Sequence, residues 1–185
     1  FSCKGIDDEY RFLISVNGIL PNDIKVHDVE EVGEDFHARY GAKGKTYRYN
    51  LCISPFPNPF QRRVSCHVRQ KVDMRLLREA SKLFVGTHDF TSFANEAHRG
   101  RAAKNAVRTI SRLDVIEGDL GMVSLEFEGN GFLYKMVRNI VGTLLEVAIQ
   151  KRPITEIAEV FAAKDRRRAG KAASAHGLFL VKVHY

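Results

Sequence analysis

The sequence predicts an α+β fold in which a mixed or antiparallel sheet carries helices packed on one face. Two observations predict it. Segments with strand-like alternation are followed by segments with helical spacing, and residues 104–127 read as one long antiparallel hairpin. The 185 residues, 44% of them apolar, suffice for one domain or two small lobes with a buried core.

The first third of the chain predicts one helix and two strands. Residues 8–18 indicate a helix, because acids occupy the first turn and a glycine follows the last apolar position. Residues 24–32 alternate and predict a strand, and residues 44–53 alternate more regularly. Three prolines within residues 54–60 exclude a regular element there.

The middle of the chain predicts a helix and the hairpin. Residues 73–84 have helical spacing, with Asp73 or its neighbour as the capping residue. Residues 105–116 predict a strand whose alternation slips near Thr109, and residues 121–128 predict its partner.

Two helices and a strand complete the predicted fold. Residues 132–149 keep helical apolar spacing throughout, and residues 153–163 begin with a proline, which favours a first helical position. Residues 177–185 predict the last strand. Its apolar face is predicted to consist of Phe179, Val181, Val183 and Tyr185.

Charge divides the chain into an acidic connector and a basic lobe. Residues 1–35 hold nine acids and three Lys or Arg, a net charge of −6, whereas residues 36–185 hold 13 acids and 26 Lys or Arg, a net charge of +13. A field of this strength favours a polyanionic partner, although a charge that only maintains solubility remains an alternative.

Two segments concentrate the positive charge. Residues 98–112 contain five bases and no acid, and residues 164–171 contain five bases and one acid. Such clusters suit phosphate contacts, although each could be only a solvated face. The expected RNA-binding residues are Arg39, Arg99, Arg101, Lys104, Arg108, Lys135, Lys164, Arg166, Arg167 and Arg168.

Three features leave structural and functional interpretations open. Arg138, on the longest helix, either faces solvent or holds a carboxylate in a cleft. Tyr47 either faces the core or stacks on a base. His88 and Asp89 invite an acid–base interpretation, but adjacent residues rarely face one centre, so a turn in which Asp89 binds local backbone is favoured.

Other site types find little support in the sequence. Cys3, Cys52 and Cys66 form no metal-binding pattern, and reduced thiols in an intracellular protein are favoured over a disulfide between Cys52 and Cys66. No apolar run approaches the roughly 18 residues of a membrane span. Residue patterns alone therefore predict a basic α+β domain that binds nucleic acid.

Several blocks, in the same order and with the same spacing, resemble the pseudouridine synthase A family of tRNA modification enzymes. The first resembles the family's FHARxxAxxxxYRY, the second its GxHDFxSF followed by RxI, the third its FLxxMVRNIVG helix, and the last its AxxR and AxxxGLxLxxVxY. These blocks lie in Val16–Leu51, Val85–Phe93, Val107–Ile110, Gly129–Val147, Ala162–Arg167 and Ala173–Tyr185.

The resemblance implies isomerisation of uridine to pseudouridine in tRNA, mainly in the anticodon stem-loop, without a cofactor. The target base would be flipped into a cleft. By position, Tyr47 would stack on the uracil, Arg138 would pair with the catalytic aspartate, and Leu178 would pack against the base. The resemblance also implies a homodimer of the full-length enzyme.

One departure concerns catalysis. The family's aspartate lies in a GRTDxGVHA segment, and no GxTD occurs in this chain. We therefore expect the chain to be the C-terminal lobe of an enzyme, with residues 1–35 as a connector or remnant of the other lobe. It would bind RNA and not catalyse by itself. The alternative is a non-catalytic RNA-binding or assembly module with the same fold.

Overall fold

A computed structural model describes residue 6, residues 8–95 and residues 105–185. The chain divides after Tyr40 into two compact units. The boundary after residue 35 was placed on charge alone and remains a prediction. In the described part of the chain, no helix is both long and apolar enough to cross a membrane.

The described residues of the first unit include one helix, α1 (Glu9–Ile19), close to its predicted position. Asp8 caps it by accepting a hydrogen bond from the Arg11 amide at 2.9 Å. The strand predicted over residues 24–32 is wrong, because this segment pairs with no strand among the described residues. The Asn17 side chain instead binds the Val26 amide and carbonyl, at 2.9 and 2.8 Å.

The second unit is built on a six-stranded mixed sheet, which confirms the predicted fold class. The spatial order is β2–β1–β5–β4–β3, and β6 also pairs with β1. Among the described residues, only the short β1–β2 pairing is parallel. The strands are β1 (Gly44–Cys52), β2 (Cys66–His67), β3 (Gly86–Asp89), β4 (Val107–Glu117), β5 (Met122–Gly129) and β6 (Leu178–His184).

The predicted hairpin is formed by β4 and β5. The alternation slip near Thr109 corresponds to a register shift between Ile110 and Arg112, where one extra residue enters β4. The connecting turn closes with a bond of 2.9 Å from the Gly118 amide to the Met122 carbonyl. Local sequence therefore encoded both the hairpin and its irregularity.

In the described part of this unit there are three α-helices: α2 (Met74–Lys82), α3 (Met136–Ala148) and α4 (Glu156–Ala163). Asp73 caps α2, as predicted, by accepting from the Leu76 amide at 3.0 Å. Helix α3 is the most buried, and with the inward residues of β1, β4 and β5 it supplies much of one continuous apolar core.

Two predicted boundaries shift in the structure. Helix α3 starts at Met136 and not at residue 132, because Lys135 adopts a left-handed conformation with a φ of 60°. Helix α4 starts at Glu156, since residues 153–155 form a turn before it.

The apolar face predicted for the last strand is wrong. A register shift after Thr46 leaves Val181 as an extra residue in β6. Phe179 pairs with Arg48, whereas Leu178 and Leu180 pair with Tyr49 and Tyr47, which lie on the opposite face of β1 from Arg48. The alternation of side chains between the two faces of β6 is therefore interrupted at Val181.

Candidate active site

Tyr47 lies in the middle of β1 and faces the side of the sheet that bears the core. Its ring meets Phe132 edge-on, with centroids 5.2 Å apart. Phe127 of β5 and Leu180 of β6 pair with it on either side. Burial raises the pKa of the Tyr47 hydroxyl above its usual value, so this side chain is neutral at physiological pH.

Leu178 begins β6 and pairs with Tyr49, two residues along β1 from Tyr47. It is partly buried against the core. Two of the predicted site residues, Tyr47 and Leu178, are therefore brought to the same face of neighbouring strands.

Arg138 lies in the first turn of α3 and is partly buried. Its Nε donates to the Ala173 carbonyl at 2.7 Å, and the Ala173 amide donates back to the Arg138 carbonyl at 2.9 Å. Within the described ranges, no acidic side chain forms an ion pair with Arg138. The two Nη groups thus remain able to hold a carboxylate end-on.

Tyr49 holds the carbonyl next to the one that Arg138 binds. Its hydroxyl donates to the Ser174 carbonyl at 2.7 Å, while its ring is fully buried. Burial is the main cause that raises the Tyr49 pKa far above its usual value, and the Cys66 thiol adds to it. Tyr49 and Arg138 together fix the segment that leads into Leu178.

The segment before β6 is docked along α3. A Cβ on Gly142 would lie 1.8 Å from the Lys171 carbonyl oxygen, so only glycine allows this approach. The Gly170 amide donates to Thr143 Oγ1 at 2.9 Å, and the Lys171 amide donates to Glu146 at 3.1 Å. The positions of Arg138 and Leu178 are therefore set by one rigid contact.

Asn139 forms a buried polar centre beside Arg138. Its Nδ2 donates to the Phe93 carbonyl at 2.7 Å and to Asn95 Oδ1 at 3.0 Å. Its Oδ1 accepts from Nη2 of Arg166 at 2.8 Å, and Arg166 Nη1 also reaches the Ala169 carbonyl at 3.2 Å. The side-chain amide of Asn139 therefore connects α3 to the segment of Phe93 and Asn95 and to the segment of Arg166.

The sequence of this chain is similar to known proteins. A family model described as tRNA pseudouridine synthase matches residues 80–185. A tRNA pseudouridine synthase A from Protochlamydia amoebophila is 56% identical over 96% of this chain and 69% of its own length. One from Acetivibrio thermocellus is 45% identical over 95% of this chain and 70% of its own length.

This chain belongs to the tRNA pseudouridine synthase family. The resemblance expected from the motifs is thereby confirmed, although the comparisons assign no role to any residue. The predicted roles of Tyr47, Arg138 and Leu178 in this synthase family member therefore remain predictions.

Most of the GTHDF motif of the synthase chain forms β3 (Gly86–Asp89), so the turn favoured for it is wrong. The expected local backbone bond is present, because Asp89 Oδ1 accepts from the Thr91 amide at 3.0 Å and from its hydroxyl at 2.6 Å. Asp89 Oδ2 pairs with Lys164 at 2.9 Å. His88 lies 4.9 Å from the Phe161 ring and contacts the Val85 carbonyl. His88 and Asp89 thus share no reactive centre.

The basic residues expected to bind RNA fall into different surroundings. Lys164 pairs with Asp89, Arg167 with Asp165 and Arg168 with Glu159, the last at 3.9 Å. Arg166 is turned inward, and burial lowers its pKa. Three of these four cations are exposed, but each of those three has an acidic neighbour.

The remaining residues expected to bind RNA make different local contacts. Arg108 Nη1 donates to the carbonyls of Asn105 and Val107, at 3.0 and 2.6 Å. Lys135 lies 5.3 Å from the Tyr134 ring centroid, and Arg39, in the first unit, lies 5.8 Å from that of Tyr40. The other three, Arg99, Arg101 and Lys104, lie outside the described residues.

Among the described residues, no group of three or more His, Cys, Asp or Glu is arranged to hold a metal ion. Cys52 and Cys66 are free thiols, so the alternative disulfide is not formed; Cys3 lies outside the described residues.

Sequence reasoning missed Tyr49 and Asn139. Both are polar residues within apolar patterns. Tyr49 lies two residues after Tyr47 and Asn139 directly follows Arg138, and that position was the only signal available. Their importance comes from partners distant in the chain, which no local pattern displays.

Proposed function

We propose that this chain supplies the base-stacking and arginine side of an isomerase that converts uridine to pseudouridine in tRNA. The observation that carries the proposal is Arg138, whose Nε is satisfied by Ala173 while its Nη groups meet no carboxylate of the described residues. An arginine arranged in this way suits a carboxylate supplied by the family's GRTD segment.

The chemistry follows from the family reaction. The aspartate attacks or deprotonates the sugar of the target nucleotide, and the bond between C1′ and N1 breaks. The base rotates and C5 bonds to C1′; C5 loses its proton and N1 gains one, so atoms balance without a cofactor. Arg138 would keep the aspartate ionised, because a neighbouring cation lowers a carboxyl pKa.

Tyr47 would hold the base while it turns. An aromatic face binds any orientation of a base ring in its plane, since stacking does not depend on hydrogen-bond direction. The contacts of Tyr47 with Phe132 and its strand neighbours fix its position. Leu178 would form an apolar wall beside the base.

Three finer points belong to the same proposal and rest on the family resemblance. We propose that the target lies in the anticodon stem-loop, that the full enzyme is a homodimer, and that it acts inside the cell. The free thiols Cys52 and Cys66 agree with a reducing compartment. Mapping pseudouridines in tRNA and sedimentation of the enzyme test the first two points.

The central test supplies the aspartate. A tRNA transcript is incubated with the 185-residue chain alone and with the chain joined to the GRTD-bearing segment of a family member. We expect pseudouridine only from the joined protein, because the chain has no GxTD. If the mass-verified chain alone forms pseudouridine, one of its own carboxylates must serve as the catalytic group. A joined protein that binds tRNA without forming pseudouridine would favour the non-catalytic module.

A further inference from the structure

Two phenylalanines are held almost fully in solvent by the loop between β1 and β2. Phe56 is 90% exposed and Phe60 is 93% exposed, the highest values among the large apolar side chains of the described residues. Exposing one such ring is common, but two in one short loop form a feature that the sheet and core do not explain.

This loop has a defined conformation. The Ser54 hydroxyl bonds the Phe56 carbonyl at 3.1 Å and its amide at 3.3 Å. Asn58 Oδ1 accepts from the Phe60 amide at 3.0 Å and starts a single turn at Pro59–Gln61. Three prolines restrict the backbone further. Much of the entropy of ordering the loop backbone has therefore been lost before any partner binds.

Unpaired positive charge follows the two rings. No acid occurs between residues 36 and 72 of the sequence. Arg62 and Arg63 directly follow the turn, and both are exposed. Within the described part of the chain, no carboxylate pairs with either of them.

This combination fits RNA with unpaired bases better than a protein partner. Aromatic faces stack on exposed bases, and neighbouring guanidinium groups bind the phosphates of the same strand. A second copy of the chain, docked by two-fold symmetry, would bring the same cations against this surface and no acid from the loop. The like charges would oppose that contact.

The loop is also within reach of an RNA bound at Tyr47. It leaves the sheet at the end of β1, five residues after Tyr47, or about 17 Å along a strand. One turn of a nucleic acid duplex covers about 34 Å. A single folded RNA can therefore contact both places.

We propose that residues 54–63 form a second RNA-contact surface, the Phe loop. Unpaired bases stack on Phe56 and Phe60, and Arg62 and Arg63 bind the adjacent phosphates. The identity of the RNA as tRNA rests on the proposed function, whereas the surface itself is argued from the loop.

The test measures equilibrium binding of a tRNA transcript to the 185-residue chain at several salt concentrations. We expect Phe56→Ala/Phe60→Ala to weaken binding at least about 10-fold without changing the salt slope, because stacking is not electrostatic. Arg62→Ala/Arg63→Ala should reduce the log–log salt slope by about 0.7 per arginine.

Matched variants separate stacking from other effects. Phe56→Trp/Phe60→Trp should bind as well as the wild type, whereas Phe56→Leu/Phe60→Leu should lose affinity although it stays apolar. Leu120→Ala removes an apolar side chain that is 78% exposed on another turn and should change nothing. A fully paired RNA of equal length should not distinguish the Phe variants from the wild type. Thermal melts confirm that all variants are folded.

Several results would overturn the inference. Wild-type binding by the Leu variant would exclude stacking. Unchanged tRNA affinity with a shift in sedimentation would assign the loop to self-association. If the wild type binds tRNA and the loop variants bind it equally well, the proposed function stands and only the role of the Phe loop is refuted. If the wild type binds no tRNA, both are overturned.

Discussion

The segment 164–168 and the Phe loop are both rich in arginine, but their charges are used differently. In the first, Arg166 binds an internal amide and a carbonyl, and the other three cations have acidic neighbours. In the second, Arg62 and Arg63 are exposed beside two exposed rings and far in sequence from any acid. A count of bases along the chain ranks 164–168 higher, whereas, among the described residues of these two segments, only the loop has exposed arginines without an acidic partner.

The largest expected effect concerns Arg138. Like Arg166 it binds a group of the protein, and like Arg62 it has nitrogens that lack an acidic partner among the described residues. One of its nitrogens binds the protein, as in Arg166, and two are left for a partner. In the joined protein described above, Arg138→Ala should lower turnover at least about 100-fold, because loss of one partner of a buried ion pair costs about 3–5 kcal/mol. Single-turnover rates and tRNA affinity are measured separately.

Arg138→Lys provides the matched variant for that experiment. It keeps the charge and loses the planar fork, so turnover should lie between the wild type and the alanine variant. If Arg138→Ala weakens tRNA binding and leaves the single-turnover rate intact, Arg138 is a phosphate contact and resembles the arginines of the Phe loop.

The second effect tests the contrast between Arg166 and Arg62 directly. Arg166→Ala leaves the buried Oδ1 of Asn139 without its donor, which should cost about 1–3 kcal/mol of stability. At about 2–4 °C per kcal/mol, thermal melting detects this loss. Arg62→Ala should melt like the wild type and reduce only the salt slope of RNA binding. If instead Arg166→Ala reduces the salt slope and Arg62→Ala lowers the melting temperature, Arg166 is the RNA contact and the contrast between the two arginines is wrong.

The smallest effect is on the pH dependence of stability, and it arises from Asp89, the partner of Lys164. The Thr91 hydroxyl first, and Lys164 second, hold the pKa of Asp89 below its usual 3.8. A carboxyl whose pKa is lower in the folded state stabilises the fold above its unfolded pKa and loses that contribution as pH falls through the folded value. Denaturant unfolding below pH 4 should therefore be less steeply pH-dependent in Asp89→Asn than in the wild type. Identical slopes in the two proteins would show that the Thr91 and Lys164 contacts contribute nothing.

Local signals in the sequence predicted the parts of the fold that local interactions determine. Asp73 marked the start of α2, and the alternation around Thr109 marked both a strand and its bulge. The strand expected over residues 24–32 failed because alternation does not show whether a partner strand exists. The face of β6 was wrong because its bulge at Val181 depends on pairing with a distant strand.

The candidate site was predictable only in part, for the same reason. The motifs identified Tyr47, Arg138 and Leu178 by family resemblance, while their roles remain to be tested. Tyr49 acts on Ser174, 125 residues away, so neither its spacing nor its type indicated a function. The exposure of Phe56 and Phe60 was equally hidden, because a proline-rich pattern predicts a loop and not where its side chains lie.

The docking of residues 170–173 on α3 has a consequence for local unfolding. The amides of Gly170, Lys171 and Ala173 each donate to a group of that helix, although this segment contains neither helix nor strand over those positions. Their hydrogens can exchange with solvent only when the contact with the helix opens. An irregular segment should thus show the slow amide exchange of the most buried helix, and the two should open as one cooperative unit.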